Sequence, residues 1–236
     1  MPGRLTKLVD KLKAAHGSSL VSVILYGSAA SGDHHDKHSD FNILCVLSEI
    51  GTPQLRASED VFEWWRGEGN PAPLLLTEHE VLTSTDCFAI EFRDIRDSHR
   101  LLYGKDVVSG LVIDDSFYRA QVERELRSKL LRLRTKAAGT LSDIGPLARM
   151  MEDSISTFCM LFRHALILTG NEAPTVKREI VAAAARAFGI DASPFETLLT
   201  RRESGAKMKA PELEALLTSY IKEIEHVIDT VDALEK

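Results

Sequence analysis

The spacing of hydrophobic residues changes near residue 114 of the 236-residue chain, from short runs to long helical stripes. Before this point, short runs rich in β-branched and aromatic residues alternate with amphipathic helical segments. The strands predicted from these runs are 20–26, 40–47, 73–76 and 88–93. Strands that alternate with helices are typical of a mixed α/β layer. We therefore predict a mixed β-sheet with packed helices in this part.

After residue 114, apolar residues recur every three or four positions. The longest stripe runs from Ile144 to Leu166 and stops before Gly170, and another begins after Pro211. Sustained stripes joined by short connections predict an antiparallel helical bundle. The fold class is thus α+β: a mixed sheet with helices in residues 1–114, then an all-α helical-bundle domain in residues 115–236.

The charge of the chain is unevenly distributed. The net charge is −6, and all of the acidic excess falls in the first 114 residues, which hold 17 acidic and 11 basic side chains. A dedicated nucleic-acid binder usually shows a basic domain or stripe, so nucleic acid is not an expected partner. If the first domain receives a polyanion such as a nucleoside triphosphate, cations have to mediate the encounter.

Cysteine usage and apolar content bound the compartment. Cys45, Cys87 and Cys159 lie far apart, each within an apolar run. An odd number of separated cysteines indicates buried, reduced thiols, as in a reducing cytoplasm. The N-terminus has no apolar stretch of signal-peptide length, and no window approaches the roughly 18 apolar residues of a membrane span. We expect a cytoplasmic protein without a membrane partner.

Two short motifs flank the loop between the first two predicted strands. Gly27 and Ser28 end the first strand, and Ser39, Asp40 and Asn42 open the second. Glycine lets a phosphate approach the backbone closely, where exposed N–H groups and a serine hydroxyl can donate to its oxygens. Positions 40 and 42 share one strand face, because successive side chains point to opposite sides. The pairing of these motifs is more specific than either alone.

This pattern resembles the polymerase-beta-like nucleotidyltransferase superfamily, in identity and spacing, at Gly27, Ser28, Gly32, Ser39 and Asp40. The domain order is similar to that of two-domain proteins of the kanamycin nucleotidyltransferase type. The resemblance implies a transferase that binds ATP or another nucleoside triphosphate and moves its nucleoside monophosphate to a hydroxyl of a small-molecule or protein acceptor. It also implies a Mg²⁺ cofactor, with Gly27, Ser28 and Ser39 binding the nucleotide, and a homodimer that completes a shared cleft.

The metal ligands implied by the resemblance are two acids on one strand and a third from a neighbouring strand. Asp40 is the first, and Glu91, the lone charge in the predicted strand 88–93, is our candidate for the third. A carboxylate buried against nothing is costly, so Glu91 needs a cation or a donor partner there. Asp94, just past that strand, is the alternative third acid, and a structural salt bridge is the alternative role for Glu91. We predict Asp40 and Glu91 as the catalytic pair.

Asn42 departs from the pattern, because the superfamily has a carboxylate at this position. An amide oxygen can coordinate a hard cation, but it adds no charge to a site whose affinity depends on ligand charge. Asn42 is therefore a weakened metal ligand. The alternative function is a catalytically silent nucleotide-binding or protein-interaction module.

One basic residue of the helical domain is a further nucleotide-binding candidate. Lys129 lies on a predicted helix over residues 117–138 that is rich in basic residues. Interleaved acidic residues favour a solvated helix held by i,i+4 ion pairs. The alternative is that Lys129 reaches the triphosphate and offsets the acidic first domain.

Overall fold

The computed structural model describes residues 2–30, 41–206 and 208–234 of the chain. Within these residues the protein is α+β, as predicted. The chain divides into two compact units, Met1–Phe117 and Tyr118–Lys236. All of the described strands belong to the first unit.

The first unit is a sheet with helices. In chain order its elements are α1 (Pro2–His16), β1 (Leu20–Tyr26), a 3-10 turn (Gly27–Ala29), β2 (Asn42–Leu47), α2 (Thr52–Gly67), β3 (Leu74–Thr77), α3 (Glu78–Thr83), α4 (Ala89–Asp97) and β4 (His99–Gly104). The described strands form one sheet in the order β3-β2-β1-β4. Strand β1 is antiparallel to both β2 and β4, whereas β2 and β3 are parallel. The sheet is mixed, as predicted.

Helices α1 and α2 share one apolar cluster with alternate residues of the sheet. The apolar stripe of α1 is buried in it: Leu5, Leu8 and Leu12. Val23 and Leu25 of β1 and the fully buried Trp65 of α2 belong to the same cluster. Burying each such side chain contributes about 1.5–3 kcal/mol. Because strand side chains alternate, Tyr26 points to the opposite face of the sheet from Leu25.

The prediction of a strand over residues 88–93 is wrong. Helix α4 covers most of this run and buries four apolar residues at helical spacing, so Glu91 lies on a helix and is exposed. A six-residue apolar run fits a strand and a buried helix segment alike. Phe88, which the strand prediction places inside, is 49% exposed. On the side of β1 away from β2, the pairing strand is β4, which follows α4 and was not predicted.

The second unit is helical, as predicted. Its elements are α5 (Tyr118–Ala138), α6 (Ile144–Leu168), α7 (Lys177–Phe188), α8 (Ser193–Ser204) and α9 (Ala210–Asp232). Helix α6 contacts each of the other four. Its Phe162 packs on Phe195, whose ring also lies 5.0 Å from that of Tyr220. The Tyr118 hydroxyl lies 2.6 Å from His164 Nδ1 in the core and links α5 to α6.

The cysteine prediction is confirmed at two of three positions. Cys45 and Cys159 are buried, and burial raises the pKa of each thiol to about 12. Cys87 is exposed, so for this residue the prediction is wrong. Its apolar neighbours belong to the start of α4 rather than to a buried strand. None of the helices in the described ranges is long and apolar enough to cross a membrane.

Gly104 provides a test of the β1–β4 pairing. Its φ is +80°, and a Cβ added there would lie 2.0 Å from the carbonyl oxygen of Val21. Gly104→Ala should therefore lower the free energy of unfolding by about 2–4 kcal/mol, through backbone strain and the clash. Urea denaturation measures this change. Gly110→Ala is the matched control, because a Cβ there meets nothing within 4 Å; equal effects of the two substitutions would contradict the described pairing.

Candidate active site

The turn after β1 is fixed by hydrogen bonds to the residue before β4. Gly27 N donates to Ser98 O at 2.9 Å, and Ser98 Oγ donates back to Gly27 O at 3.1 Å. Gly27 has a φ of +77°, and a Cβ added there would lie 3.3 Å from Asn42 Nδ2. Glycine is therefore required for both the backbone conformation and the close approach of Asn42. The turn and the start of β2 form one tight contact.

The strand register brings three polar side chains to the same end of the sheet. Tyr26 is opposite Asn42 on β2 and opposite His99 on β4. Directly opposite residues of antiparallel strands share a face. The ring of His99 is oriented by Arg96 O, 3.0 Å from Nδ1, and by Ser109 Oγ, 3.2 Å from Nε2. Tyr26, Asn42 and His99 therefore form a polar row on one sheet face.

Together with burial, two carboxylates of α4 raise the pKa of Tyr26 in this row. Burial raises the pKa of Tyr26, and the negative charges of Glu91 and Asp94 raise it further. The charges are thus close enough to oppose ionisation of the Tyr26 hydroxyl. Glu91 and Asp94 are three positions apart on the helix and so share a side of it; the first is exposed and the second is half-buried. Although the predicted strand over residues 88–93 is a helix, this helix brings both acids towards the end of β1.

The structure covers only part of the predicted site. Ser39 and Asp40, together with Gly32, lie outside the described residues, and the side chain of Ser28 is likewise not described. Asn42 and Gly27 are close neighbours, since a Cβ added to Gly27 would lie 3.3 Å from Asn42 Nδ2.

Lys129 lies on α5 in the second unit, with its Nζ 3.1 Å from Glu125 Oε2. That i,i+4 ion pair is the arrangement expected of a solvated helix. The alternative role of Glu91, a structural salt bridge, would need a cation such as Arg93 or Arg96. Among the described ion pairs, Arg93 is paired with Asp115 and Arg96 with Asp97.

The available donors are chemically suited to a hard cation. In the described part of the chain, no three His, Cys, Asp or Glu side chains are grouped as a metal site. Asp40 falls outside that part, so the set of described donors is Asn42, Glu91 and Asp94. All three offer oxygen, which Mg²⁺ prefers.

Three residues of this site were missed by the sequence analysis. Tyr26 was read only as the last residue of a strand, although its position before Gly27 was a usable signal. Ser98 and His99 were missed because β4 was not predicted, and their positions follow from its pairing with β1. Short half-polar strands of this kind give a weak periodic signal.

The fold is shared with a solved adenyltransferase. The chain is similar to spectinomycin adenyltransferase AAD(9) from Enterococcus faecialis, in its crystal structure with ATP and spectinomycin. The likeness covers 97% of this chain and 98% of that one, with a TM-score of 0.62 and 16% sequence identity. At this identity it establishes the fold, and it confirms the fold that the motif resemblance implied. No protein-family model and no curated protein matches the chain.

Neutralising either acid of α4 should lower the pKa of Tyr26. Glu91→Gln and Asp94→Asn each remove a negative charge that opposes phenol ionisation. The measurement is the alkaline titration of Tyr26, followed by NMR of labelled tyrosine and assigned with Tyr26→Phe. Asp60→Asn, at an exposed carboxylate of α2, is the control and should leave the titration unchanged.

The same pKa shift has a consequence for stability. Above about pH 10 the unfolded state releases the Tyr26 proton before the folded state does, so stability falls as pH rises. Tyr26→Phe should lose less stability than the wild type over this alkaline range.

For the titration experiment, an unchanged pKa of Tyr26 in both Glu91→Gln and Asp94→Asn would show that these two acids lie away from the polar row.

Proposed function

We propose that the protein is a nucleotidyltransferase that moves a nucleoside monophosphate from a nucleoside triphosphate to a hydroxyl of a small-molecule or protein acceptor. The observation that carries this proposal is the fold likeness, over almost the whole chain, to an adenyltransferase solved with ATP and its acceptor. The Gly27 turn against Asn42, with two acids nearby, supports it, because these elements coincide with the motif positions.

The triphosphate is assigned to the turn after β1. Gly27 has no side chain to block a phosphate, and its backbone is held by Ser98, the residue before β4. We assign Gly27, Ser28 and Ser39 to the phosphate oxygens, as the motif implies. Lys129 stays a candidate for binding the negative charge of the triphosphate. Its ion pair with Glu125 within α5 is an alternative explanation for this basic residue.

The proposed cation site combines Asp40, Asn42 and one acid of α4. Mg²⁺ bound there would neutralise triphosphate charge and polarise the α-phosphorus. In the transfer, the acceptor hydroxyl oxygen bonds to the α-phosphorus while the bond to the bridging oxygen breaks and pyrophosphate leaves. Of Glu91 and Asp94, the acid that does not bind the cation would accept the hydroxyl proton. Two acids on one helix side can therefore serve two roles.

The second candidate function is a silent nucleotide-binding or protein-interaction module, and Asn42 is the observation that favours it. Its amide contributes an oxygen but no charge to the cation. The Gly27 turn would remain intact in such a module, so triphosphate binding could persist without transfer. The acceptor, a homodimer and a cytoplasmic location stay predictions.

Substitutions at positions 40 and 42 test transfer directly. Asp40→Asn should lower transfer by at least about a hundredfold, the order seen for loss of one preorganised electrostatic group. Asn42→Asp should raise it, because the added charge strengthens cation binding. Pyrophosphate release is measured with each of the four nucleoside triphosphates, Mg²⁺ and an acceptor panel that includes spectinomycin. Asp60→Asn, away from the motif, is the control.

Calorimetry with the same triphosphates and Mg²⁺ separates the two candidate functions. Binding without turnover, in both the wild type and Asn42→Asp, would support the silent module and rule out transfer to the acceptors tested. No heat with any triphosphate would contradict both functions.

A further inference from the structure

Asn70 contacts the backbone at the start of β2. It lies in the turn that follows α2, and its side chain is almost fully buried, with 9% exposed. Asn70 Oδ1 accepts a hydrogen bond from Phe41 N at 3.2 Å, in a buried environment. Phe41 stands between Asp40 and Asn42 in the sequence. One amide therefore holds the backbone N–H of the residue that directly precedes Asn42.

The Phe41 side chain is held from the same direction. It is buried, and its ring centroid lies 6.2 Å from that of Trp65, in the helix that leads to Asn70. Phe41 belongs to the apolar cluster that contains Ile43, whereas Asn42 is opposite Tyr26 and so lies on the other face of the sheet. Loss of the Asn70 hydrogen bond would free the backbone at Phe41, and the adjacent Asn42 would shift with it.

The burial of Asn70 makes a purely packing role a poor explanation. Its Nδ2 is buried and has no acceptor among the residues that the structure describes. A buried amide left half-paired is costly, and an apolar side chain of similar size would avoid that cost. What an apolar side chain cannot supply is the acceptor for Phe41 N.

We propose that Asn70 is a positioning residue of the nucleotide site: through Phe41 it keeps Asn42 in place beside the Gly27 turn. For its effect on transfer this rests on the proposed function. Its effect on the placement of Asn42 does not, because Asn42 and Gly27 are neighbours in the fold.

The chain provides a matched control in Asn171. Asn70 and Asn171 each follow a helix and a glycine of positive φ, Gly69 at 86° and Gly170 at 68°. In both turns the asparagine N–H donates to the carbonyl five residues earlier. Asn171, however, is exposed, and its side chain bonds only locally, to Thr169. Alanine at either position makes the same local change, but only Asn70→Ala removes a contact to β2.

The first experiment is amide hydrogen exchange by NMR on the full chain. Asn70→Ala should speed exchange at Phe41 roughly tenfold, as expected for loss of one buried hydrogen bond. It should also shift the Gly27 amide and the Asn42 side-chain amide resonances. Asn70→Asp keeps an oxygen acceptor and should restore the protection of Phe41. Asn171→Ala should leave all of these signals unchanged.

The second experiment is the kinetics of pyrophosphate release. Asn70→Ala should lower kcat roughly 10- to 100-fold, the scale of a misplaced catalytic group, with a change in nucleotide KM of less than about threefold. If exchange at Phe41 speeds up but Asn42, Gly27 and kcat are unaffected, Asn70 is only a structural anchor and the proposal is overturned. If the wild type transfers nothing, the proposed function fails, and the Gly27 and Asn42 resonances alone decide the role of Asn70.

Discussion

The candidate site depends on the pairing of β1 with two antiparallel neighbours. Tyr26, the last residue of β1, is opposite both Asn42 and His99. The end of β1 and the starts of β2 and β4 therefore meet at one place. Gly27 then turns the chain so close to Asn42 that a Cβ at this position would lie 3.3 Å from the Asn42 amide nitrogen. Pairing on both sides leaves the end of β1 little freedom to shift, which is the preorganisation that a phosphate site requires.

Much of the fold follows from the sequence because its signals are long or repeated. The long stripe of α6 was predicted as part of a helical bundle and is buried as expected, and Leu5, Leu8 and Leu12 of α1 form a stripe of the same kind. Strand β1 was predicted with its bounds unchanged. The errors fall in residues 88–104, where short elements follow one another and each apolar run fits two periods. There, contact with the sheet decides the structure, and a local pattern does not contain that information.

The site was only partly predictable for the same reason. The Gly27 turn and Asn42 are recognisable because they are close in sequence to motif positions. Tyr26 and His99 become site residues only through strand register, and Asn70 only through a tertiary hydrogen bond to Phe41. Glu91 was selected for a wrong reason, as a lone charge on a strand, yet its charge does act on Tyr26. Residue chemistry was therefore easier to predict than residue placement.

Because residues 89–97 form helix α4, two acids rather than one are candidates to compensate for the neutral Asn42. A strand would have aimed only Glu91 at the site, whereas the helix presents Glu91 and Asp94 on one side, and both charges act on Tyr26. Under the proposed assignment Asp40 and one of these acids would bind the cation, and the other acid would accept the hydroxyl proton. The cation would then have two charged ligands where the motif supplies three, since Asn42 adds oxygen but no charge. A second acid on α4 does not replace that missing charge, which is why the charge at position 42 separates transfer from a silent module.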